Sequence, residues 1–276
     1  MEIGKINKLT VARTTDFGYY LIDDAGNEVL LPNAYVTDDL NIADDIEVFI
    51  YKDSEDRIVA TTLKPYVQLE EFAFLQVKEV NTYGAFMDWG LPKDLMVPFA
   101  EQTKKMEEGK WYLIFLIKDE QTDRLIGSGK VNKFVYTNDI DVKQGDEVDL
   151  LLYKMTELGM NAIVNNIYKG LIFTSDIHKN IQPGDRIKGY VKQVREDGKI
   201  DILLEPIGYE NSIDKNSGII LSVLKENNGF LDLTDKSFPE DIKHKLGLSK
   251  KAFKKGLGNL YKQKIVELNE DGIKLL

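Results

Sequence analysis

The sequence predicts a mainly β protein in which three small barrels precede a helical C-terminal domain. The first observation is a glycine-centred unit that occurs three times, followed 39 or 40 residues later by a charged hairpin with a cation at its exit. The glycines are Gly18, Gly84 and Gly159. The cations are Arg57, Arg124 and Lys199. One order and one spacing, repeated three times, indicate duplication. The second observation is that the apolar period changes after Ser217 from two to about 3.6.

The residues beside the glycines differ between the repeats. The three units read Phe17-Gly18-Tyr19-Tyr20, Tyr83-Gly84-Ala85-Phe86 and Leu158-Gly159-Met160-Asn161. In each repeat an apolar strand ends fourteen residues after the glycine, at Pro32, Pro98 and Phe173. The glycine, the strand end and the cation therefore follow one another in the same order in every repeat.

The first repeat shows how its strands are predicted. Period-two or fully apolar runs occur at residues 3–11, 19–23, 28–31, 46–51 and 57–62. Residues 24–27 and 53–56 have the composition of hairpin turns. Five short strands in about sixty residues fit a closed barrel better than an open sheet with exposed edges. Because no helical pattern interrupts them, a parallel α/β arrangement is disfavoured.

Three helices are predicted after the repeats. An apolar stripe at residues 219, 220, 223 and 224 indicates the first helix, which ends at residues 227–229. A short extended stretch at residues 230–233 leads to the second helix, where Ser237 and Glu240 fit a capping box around Pro239. That helix stops at Gly247, and Ser249 caps a third helix from Lys250 to about residue 264.

A terminal hairpin is predicted from residues 265–268 and 273–276, with its turn at 269–272. Three helices and a hairpin form a winged helix-turn-helix. On its third helix, Phe253, Leu257 and Leu260 share one face, whereas Lys251, Lys255 and Lys262 lie nearly opposite, with Lys254 on the flank. Lysine runs are usually solvated surface, but this context favours nucleic-acid binding. The absence of Arg, Asn and Gln from the exposed face predicts contact with the backbone rather than with base edges.

The repeats resemble the S1-type RNA-binding domain, an oligonucleotide-binding (OB) barrel. Residues 169–177 of the third repeat, followed by Pro183-Gly184-Asp185, carry this resemblance most clearly. Three such repeats before a winged helix resemble the conserved virulence factor B family of bacterial RNA-binding regulators. The fold expected is three consecutive S1-like OB barrels at residues 1–63, 64–137 and 138–207, and a winged helix-turn-helix at 208–276.

The net charge of −10 conceals a gradient along the chain. Residues 1–64 carry a net −7, residues 65–142 −4, residues 143–210 −2 and residues 211–276 +3. Salt screens charge beyond about 10 Å, so a phosphate backbone responds to the local field of the C-terminal part. The third repeat also has cations close to aromatic residues, and we therefore rank it above the first two as an RNA surface. The acidic first two repeats are expected to be spacers or to bind a protein partner.

The aromatic residues of the first two repeats have two interpretations. Phe17 with Tyr20, and Tyr83 with Phe86, could stack on the bases of a single strand. Residues three apart on a regular strand point to opposite faces, so one of each pair would then lie in the barrel core. A bulge at Gly18 or Gly84 would turn both outward.

An enzyme is the least supported class. There is no cysteine, only two histidines, no metal-ligand spacing and no phosphate-binding glycine loop, so we expect no metal and no cofactor. The longest apolar run, residues 111–117, is far shorter than the roughly twenty residues that cross a bilayer. We expect a cytoplasmic monomer without a membrane partner.

The leading hypothesis is a noncatalytic protein that binds single-stranded RNA through the third repeat and the winged helix; post-transcriptional regulation is what the family resemblance implies. One alternative is a DNA-binding transcription factor that uses the winged helix, with the barrels as protein-interaction domains. Another is a scaffold whose acidic barrels bind a basic protein. The candidate nucleic-acid-binding residues are Phe173, His178, Lys188, Tyr190, Lys192, Arg195, Lys199, Lys250, Lys251, Lys254, Lys255 and Lys262, with Phe17, Tyr20, Tyr83 and Phe86 as secondary aromatic platforms. His178 is more typical of a solvated loop residue than of a catalyst.

Overall fold

The computed structural model describes residues 1–36, 40–206, 215–269 and 271–276. The chain forms two compact units, Met1–Leu204 and Glu205–Leu276. The first unit contains three five-stranded barrels, closed or nearly closed, and the second is a winged helix domain, which confirms the predicted fold class. The predicted boundary between residues 207 and 208, and residue 270 of the predicted hairpin turn, lie outside the described residues.

The first barrel is closed, with strand order β1-β2-β3-β5-β4. Its strands are β1 (Ile6–Thr15), β2 (Gly18–Ile22), β3 (Glu28–Pro32), β4 (Asp45–Lys52) and β5 (Ile58–Thr61). The predicted start of the first strand at Ile3 is wrong, because the chain turns at Gly4 and the ladder with β4 begins at Ile6. The strand then continues beyond Val11 because its polar end pairs with β2 as far as Thr15.

The second and third barrels repeat this order. The second contains β6 (Phe72–Val80), β7 (Gly84–Met87), β8 (Leu95–Pro98), β9 (Trp111–Lys118) and β10 (Leu125–Ser128). The third contains β11 (Glu147–Thr156), β12 (Gly159–Val164), β13 (Tyr168–Phe173), β14 (Arg186–Val194) and β15 (Ile200–Leu203). The third barrel is closed like the first, whereas the second is a five-stranded sheet in the order β10-β9-β6-β7-β8.

The fourteen-residue spacing is the register of the second strand against the third. Gly18 pairs with Pro32, Gly84 with Pro98 and Gly159 with Phe173. At each glycine the neighbouring strand comes so close that an added Cβ would lie 2.1, 2.3 or 2.0 Å from a carbonyl oxygen. The glycine is therefore required by backbone contact at the start of the hairpin.

The β-bulge lies on the first strand of each barrel. The register with the second strand shifts between Val11 and Arg13, between Val77 and Glu79 and between Leu152 and Lys154. The alternative that placed a bulge at Gly18 or Gly84 is therefore wrong. The extra residue lies across the hairpin from the aromatic residues, where it bends the first strand and increases the local twist.

The three cations each stand directly before the fifth strand of a barrel. The residue that precedes each of them, Asp56, Asp123 or Gly198, has a positive φ of 62°, 58° or 74°. A residue in that conformation is typical of the last position of a hairpin loop. The spacing of 39 or 40 residues thus measures the chain from the second strand to the hairpin of the fourth and fifth strands.

The three barrels of the first unit are packed against one another. Phe49 of β4 belongs to the same buried cluster as the core of the second barrel, and its ring meets Trp89 edge-on at 5.7 Å. The adjoining hairpins are joined by the ion pair of Arg124 with Asp56. Between the second and third barrels, Phe72 packs in one buried cluster with Ile163. These apolar contacts show that neighbouring barrels of the first unit share buried surface.

The second unit contains three helices and a three-stranded sheet. The helices are α1 (Lys215–Glu226), α2 (Pro239–Leu246) and α3 (Lys250–Lys262), and the strands are β16 (Phe230–Leu231), β17 (Val266–Asn269) and β18 (Gly272–Leu275), in the order β16-β18-β17. All three helices and the sheet contribute side chains to one core. Phe253, Leu257 and Leu260 of α3 are buried there, which confirms the predicted apolar face.

The helix ends differ in detail from the predictions. Ser249 caps α3 and accepts a hydrogen bond from the Ala252 amide at 3.2 Å, and Gly247 ends α2 with φ of 66°, both as predicted. The predicted capping box at Ser237 is wrong: its hydroxyl accepts from the amide of Thr234, and the N-cap of α2 is Phe238, without a side-chain cap. The first helix begins before residue 217, and α3 ends two residues earlier than predicted.

Candidate nucleic-acid interface

The exposed face of α3 carries most of the candidate lysines. Lys251, Lys254, Lys255 and Lys262 are exposed, whereas Lys250, at the start of the helix, is half-buried. The buried stripe on the opposite side fixes the rotation of the helix, because Phe253 and Leu260 are completely enclosed. The amphipathic pattern therefore places four ammonium groups toward solvent on one helical surface.

These lysines have few acidic partners. Lys254 lies 4.0 Å from the carboxylate of Asp235, and Lys250 donates to the backbone oxygen of Lys236 at 3.4 Å. Lys251, Lys255 and Lys262 form no ion pair with any residue that the structure describes. Their positive charge is consequently available to an external anion, because few carboxylates of the chain compete for it.

Two further residues of this face were missed by the sequence analysis. Tyr261 is 55% exposed, and Gly258 is also exposed, with open space where a Cβ would be. The same helical period that grouped the lysines places Tyr261 about two turns after Lys254, next to Lys262 in the sequence. Extending that count from charged to aromatic and glycine residues would have found both positions. The face therefore combines cations with one aromatic ring.

The third barrel brings three candidate residues together around Phe173. The ring lies at the end of β13 and is half-buried. The Lys192 ammonium is 5.9 Å and the Arg195 guanidinium 5.4 Å from its centroid. Cations at this distance are attracted to the face of an aromatic ring. We call Phe173, Lys192 and Arg195 the Phe173 cluster. Phe173 ends β13, Lys192 lies on β14 and Arg195 follows β14, so the cluster extends over more than one strand of the barrel.

Every candidate cation of the third barrel also has a carboxylate partner. The pairs are Lys188 with Asp149 at 2.8 Å, Lys192 with Asp176 at 2.8 Å, Arg195 with Asp201 at 2.5 Å and Lys199 with Asp197 at 2.6 Å. The hydrogen bond to Asp149 raises the pKa of the Lys188 ammonium, and the one to Asp201 raises that of the Arg195 guanidinium. The local positive potential is thus weaker than the sequence count of cations indicated.

The remaining candidates of this barrel lie apart from the Phe173 cluster. Lys188 and Tyr190 lie on β14 opposite Asp149 and Glu147 of β11, and the Tyr190 hydroxyl donates to Glu147 at 3.1 Å. Lys199 is in the hairpin before β15. His178 is exposed and follows the short 3-10 turn of residues 174–176. The structure therefore groups three of the seven candidates of the third barrel and spreads the other four around it.

The aromatic residues of the first two barrels point outward. Phe17 is 78% and Tyr83 74% exposed, and Tyr20 and Phe86 are half-buried, so no member of either pair lies in a barrel core. Arg13 stacks on the Tyr20 ring at 3.7 Å and forms an ion pair with Glu28. In the third barrel the exposed Leu158 occupies the position of Phe17 and Tyr83. The platform geometry is thus common to all three barrels, but the aromatic rings are present in only two.

The described residues contain neither a cluster suited to a metal ion nor a helix suited to a membrane. They hold no group of three or more His, Cys, Asp or Glu side chains that could bind a metal ion. No helix in the described part of the chain is long and apolar enough to span a membrane.

Comparison with known proteins assigns both ends of this architecture. Residues 3–63 match the S1 domain model, and residues 219–275 match the model of the CvfB-like winged helix domain. YitL of Bacillus subtilis is 30% identical over 271 residues, covering 95% of this chain and 90% of that protein. Conserved virulence factor B of Staphylococcus aureus (strain USA300) is 27% identical over 285 residues, covering 99% of this chain and 94% of that protein.

Among solved structures, a multidomain protein with nucleic acid binding domains from Streptococcus pneumoniae matches 99% of this chain and 98% of its own, with 25% identity and a TM-score of 0.42. The family assignment rests on the sequence relatives, which cover nearly the full length at 26–30% identity. The predicted resemblance is confirmed, and the chain belongs to the conserved virulence factor B family.

Proposed function

We propose that this protein binds single-stranded RNA and regulates gene expression after transcription, without catalytic activity. The S1 domain and the winged helix domain support a nucleic-acid-binding regulator. The choice of RNA rests on the contacts that each surface offers. The exposed residues of α3 include no Arg, Asn or Gln, which are the side chains that read base edges in a duplex.

The observation that carries the proposal is the exposed face of α3. Lys251, Lys255 and Lys262 form no ion pair with the described residues, and Lys250 and Lys254 extend the same surface. Lysine is a point charge that binds phosphate without reading sequence. Tyr261 adds a ring on which an unpaired base can stack, a contact that a duplex does not offer without base flipping. Cations and an accessible ring on one face favour a single strand.

The third barrel contributes the second RNA surface. The Phe173 ring is flanked by Lys192 and Arg195, so a base stacked on the ring would have its phosphates close to two cations. Asp201 is almost completely buried and holds the Arg195 guanidinium in place. Because Asp176 and Asp201 already pair with these cations, we expect this surface to be weaker for phosphate than α3 and to act mainly through stacking.

The remaining candidates have supporting roles in this proposal. Lys188, Tyr190, Lys199 and His178 would contact RNA that extends around the third barrel from the Phe173 cluster. The first two barrels carry net charges of −7 and −4 over residues 1–64 and 65–142, and we propose that they bind a protein partner or serve as spacers. The protein acts as a monomer and needs no cofactor.

Competition binding at one fixed salt concentration tests the proposal. The full-length protein is titrated with a labelled single-stranded RNA of mixed sequence, and unlabelled RNA, single-stranded DNA or duplex DNA is then added as competitor. We expect single-stranded RNA to compete best. Tighter binding of duplex DNA would instead support a transcription factor that uses the winged helix, and absence of binding to any nucleic acid would leave the scaffold hypothesis.

A further inference from the structure

The helix α3 contains a glycine that the fold does not require. Gly258 is in the interior of the helix, is exposed, and would have no atom within 4 Å of an added Cβ. Glycine is less favourable in a helix interior than any residue except proline, because it has the most conformational freedom to lose. Alanine would fit this position and stabilise the helix. The reason for the glycine therefore lies outside the folded domain itself.

Gly256, two residues earlier, shows what a structurally required glycine looks like. A Cβ at Gly256 would lie 2.8 Å from the Ser217 amide nitrogen and 2.9 Å from the Asn216 carbonyl carbon, both in α1. The backbone of α3 thus approaches α1 at this point, and the Ser217 hydroxyl donates to the Gly256 carbonyl at 2.9 Å. Gly256 is buried and serves helix packing, whereas Gly258 faces solvent.

The residues around Gly258 indicate which chemical group could bind above it. Residues three and four apart are adjacent on a helix surface, so Gly258 is surrounded by Lys254, Lys255, Tyr261 and Lys262. All four side chains are exposed. Gly258 has no side chain and open space in front of it, so a group that approaches the helix there would have three lysines and one tyrosine beside it. A phosphodiester group has the charge for such a position, and an attached base could stack on the ring.

We propose that Gly258 is the floor of a nucleotide-binding recess on α3, where a phosphate of single-stranded RNA lies against the helix backbone between Lys254, Lys255 and Lys262, and its base stacks on Tyr261. The missing Cβ lets the strand approach the helix closely enough for all three ammonium groups to reach one phosphate. This inference rests on the proposed function and adds the contact point to it.

The test compares variants of the full-length protein for RNA affinity and for melting temperature. Gly258→Ala and Gly258→Gln fill the recess with helix-favouring neutral side chains, so both should raise the melting temperature. We expect Gly258→Ala to weaken binding of single-stranded RNA measurably and Gly258→Gln to weaken it about tenfold, a change that corresponds to about 1.4 kcal/mol. Tyr261→Phe keeps the ring and should bind RNA like the wild type. Tyr261→Ala removes the ring and should bind RNA more weakly than the wild type.

Two controls separate a filled recess from general damage. Gly256→Ala introduces a backbone clash and should lower the melting temperature, the opposite of Gly258→Ala. Ser222→Gln places the same side chain at an exposed position of α1 and should leave RNA affinity unchanged. Equal losses of affinity in Ser222→Gln and Gly258→Gln would overturn the proposal.

The remaining outcomes distinguish the recess from the proposed function. If the wild type binds RNA, Lys254→Ala with Lys262→Ala weakens binding, and both Gly258 variants bind like the wild type, the recess is wrong and the RNA-binding function stands. If the wild type does not bind single-stranded RNA, the recess and the proposed function are both overturned.

Discussion

In each barrel the glycine at the start of the second strand lies where the backbone of the third strand comes very close. At Gly18, Gly84 and Gly159 the neighbouring carbonyl oxygen occupies the space of a Cβ, and φ is between 145° and 159°. The exposed residue just before the glycine and the half-buried residue two positions after it are then carried outward on the same hairpin. The close approach of two strands therefore sets the position of the barrel's outer platform.

Substitution of Gly84 by alanine tests this requirement. The new Cβ would lie 2.3 Å from the Val97 carbonyl oxygen, so the strands must separate, and we expect a loss of more than about 2 kcal/mol in the free energy of unfolding. Gly109→Ala in the same barrel is the matched control, because its φ of 74° strains the backbone while nothing lies within 4 Å of its Cβ. Urea denaturation followed by circular dichroism measures both variants. Equal losses would mean that backbone strain, and not the contact with β8, explains the glycine.

Asp201 is the residue that orients the Arg195 guanidinium. This carboxylate is buried in β15, accepts from the Arg195 Nε at 2.7 Å and from the Gln193 side chain at 2.7 Å, and so fixes the direction of the guanidinium. A cation paired with a buried carboxylate attracts an approaching phosphate less strongly than a solvated lysine does, because the carboxylate partly cancels its positive potential. It offers instead a planar surface of constant orientation beside Phe173.

At the scale of the element, α3 concentrates the charge that is not neutralised by the chain. Its buried stripe of Phe253, Leu257 and Leu260 packs in the core of the winged helix, and the opposite surface is left to lysines. Among the described residues, only Asp235 forms an ion pair with one of these ammonium groups, at 4.0 Å from Lys254. The helix is thus amphipathic in its packing, and its lysine-bearing surface is the one that we propose binds phosphate.

The double substitution Lys251→Ala with Lys255→Ala tests the role of this face. Each phosphate contact with a single strand contributes about −0.7 to the slope of log K against log salt concentration, so removal of two contacts should flatten the slope by about 1.4. Affinity should fall to a similar extent for RNAs of different sequence, because backbone contacts do not read bases. Fluorescence anisotropy over a range of salt concentrations measures both quantities.

Lys104→Ala with Lys105→Ala is the charge-matched control for that measurement. Both lysines are exposed on the second barrel, outside the proposed RNA surfaces. The control should change the net charge by the same amount and leave the salt slope as it is. An unchanged slope in the α3 variant would show that its lysines are only a solvated surface.

The elements were predictable from the sequence to the extent that they depend on local or evenly spaced signals. Gly18 begins β2 and Pro32 ends β3, and the two residues pair with each other, so their spacing reveals the register directly. The partners of the third-barrel cations were not predictable, because Asp201 and Asp176 reach Arg195 and Lys192 only through the folding of neighbouring strands. The partner of Ser237 was likewise not predictable, since its hydroxyl accepts a hydrogen bond from the Thr234 amide and does not cap the helix that follows.

At the scale of the whole molecule, the three barrels of the first unit are joined through apolar surfaces. Phe49 packs with Trp89 across the first junction, and Phe72 packs with Ile163 across the second. The Lys93 ammonium donates to the backbone oxygens of Lys52 and Asp53 at 3.1 and 2.6 Å, and burial lowers its pKa. A change in one barrel can therefore influence its neighbour, and variants of the surface must be compared in proteins shown to be folded.

The last prediction concerns which barrel contacts RNA. Lys188→Ala with Lys192→Ala on the third barrel should weaken RNA binding more than Tyr83→Ala with Phe86→Ala on the second. Phosphate attraction supplies much of nonspecific affinity, and the aromatic residues of the second barrel lie in an acidic segment with a net charge of −4. Anisotropy titrations at fixed salt, with melting curves to establish folding, provide the comparison. A larger loss in the Tyr83 and Phe86 variant would reverse the ranking of the barrels.

The loss in the lysine variant has two physical sources that a further substitution separates. Removal of Lys188 and Lys192 leaves Asp149 and Asp176 without the partners shown at 2.8 Å, and the uncovered carboxylates would themselves repel phosphate. Adding Asp149→Asn and Asp176→Asn restores the net charge without restoring the ammonium groups. If the lysines contact RNA, affinity stays low in the fourfold variant. If affinity returns to that of the wild type, the third barrel acts only through its overall charge, and the direct phosphate contacts belong to the winged helix alone.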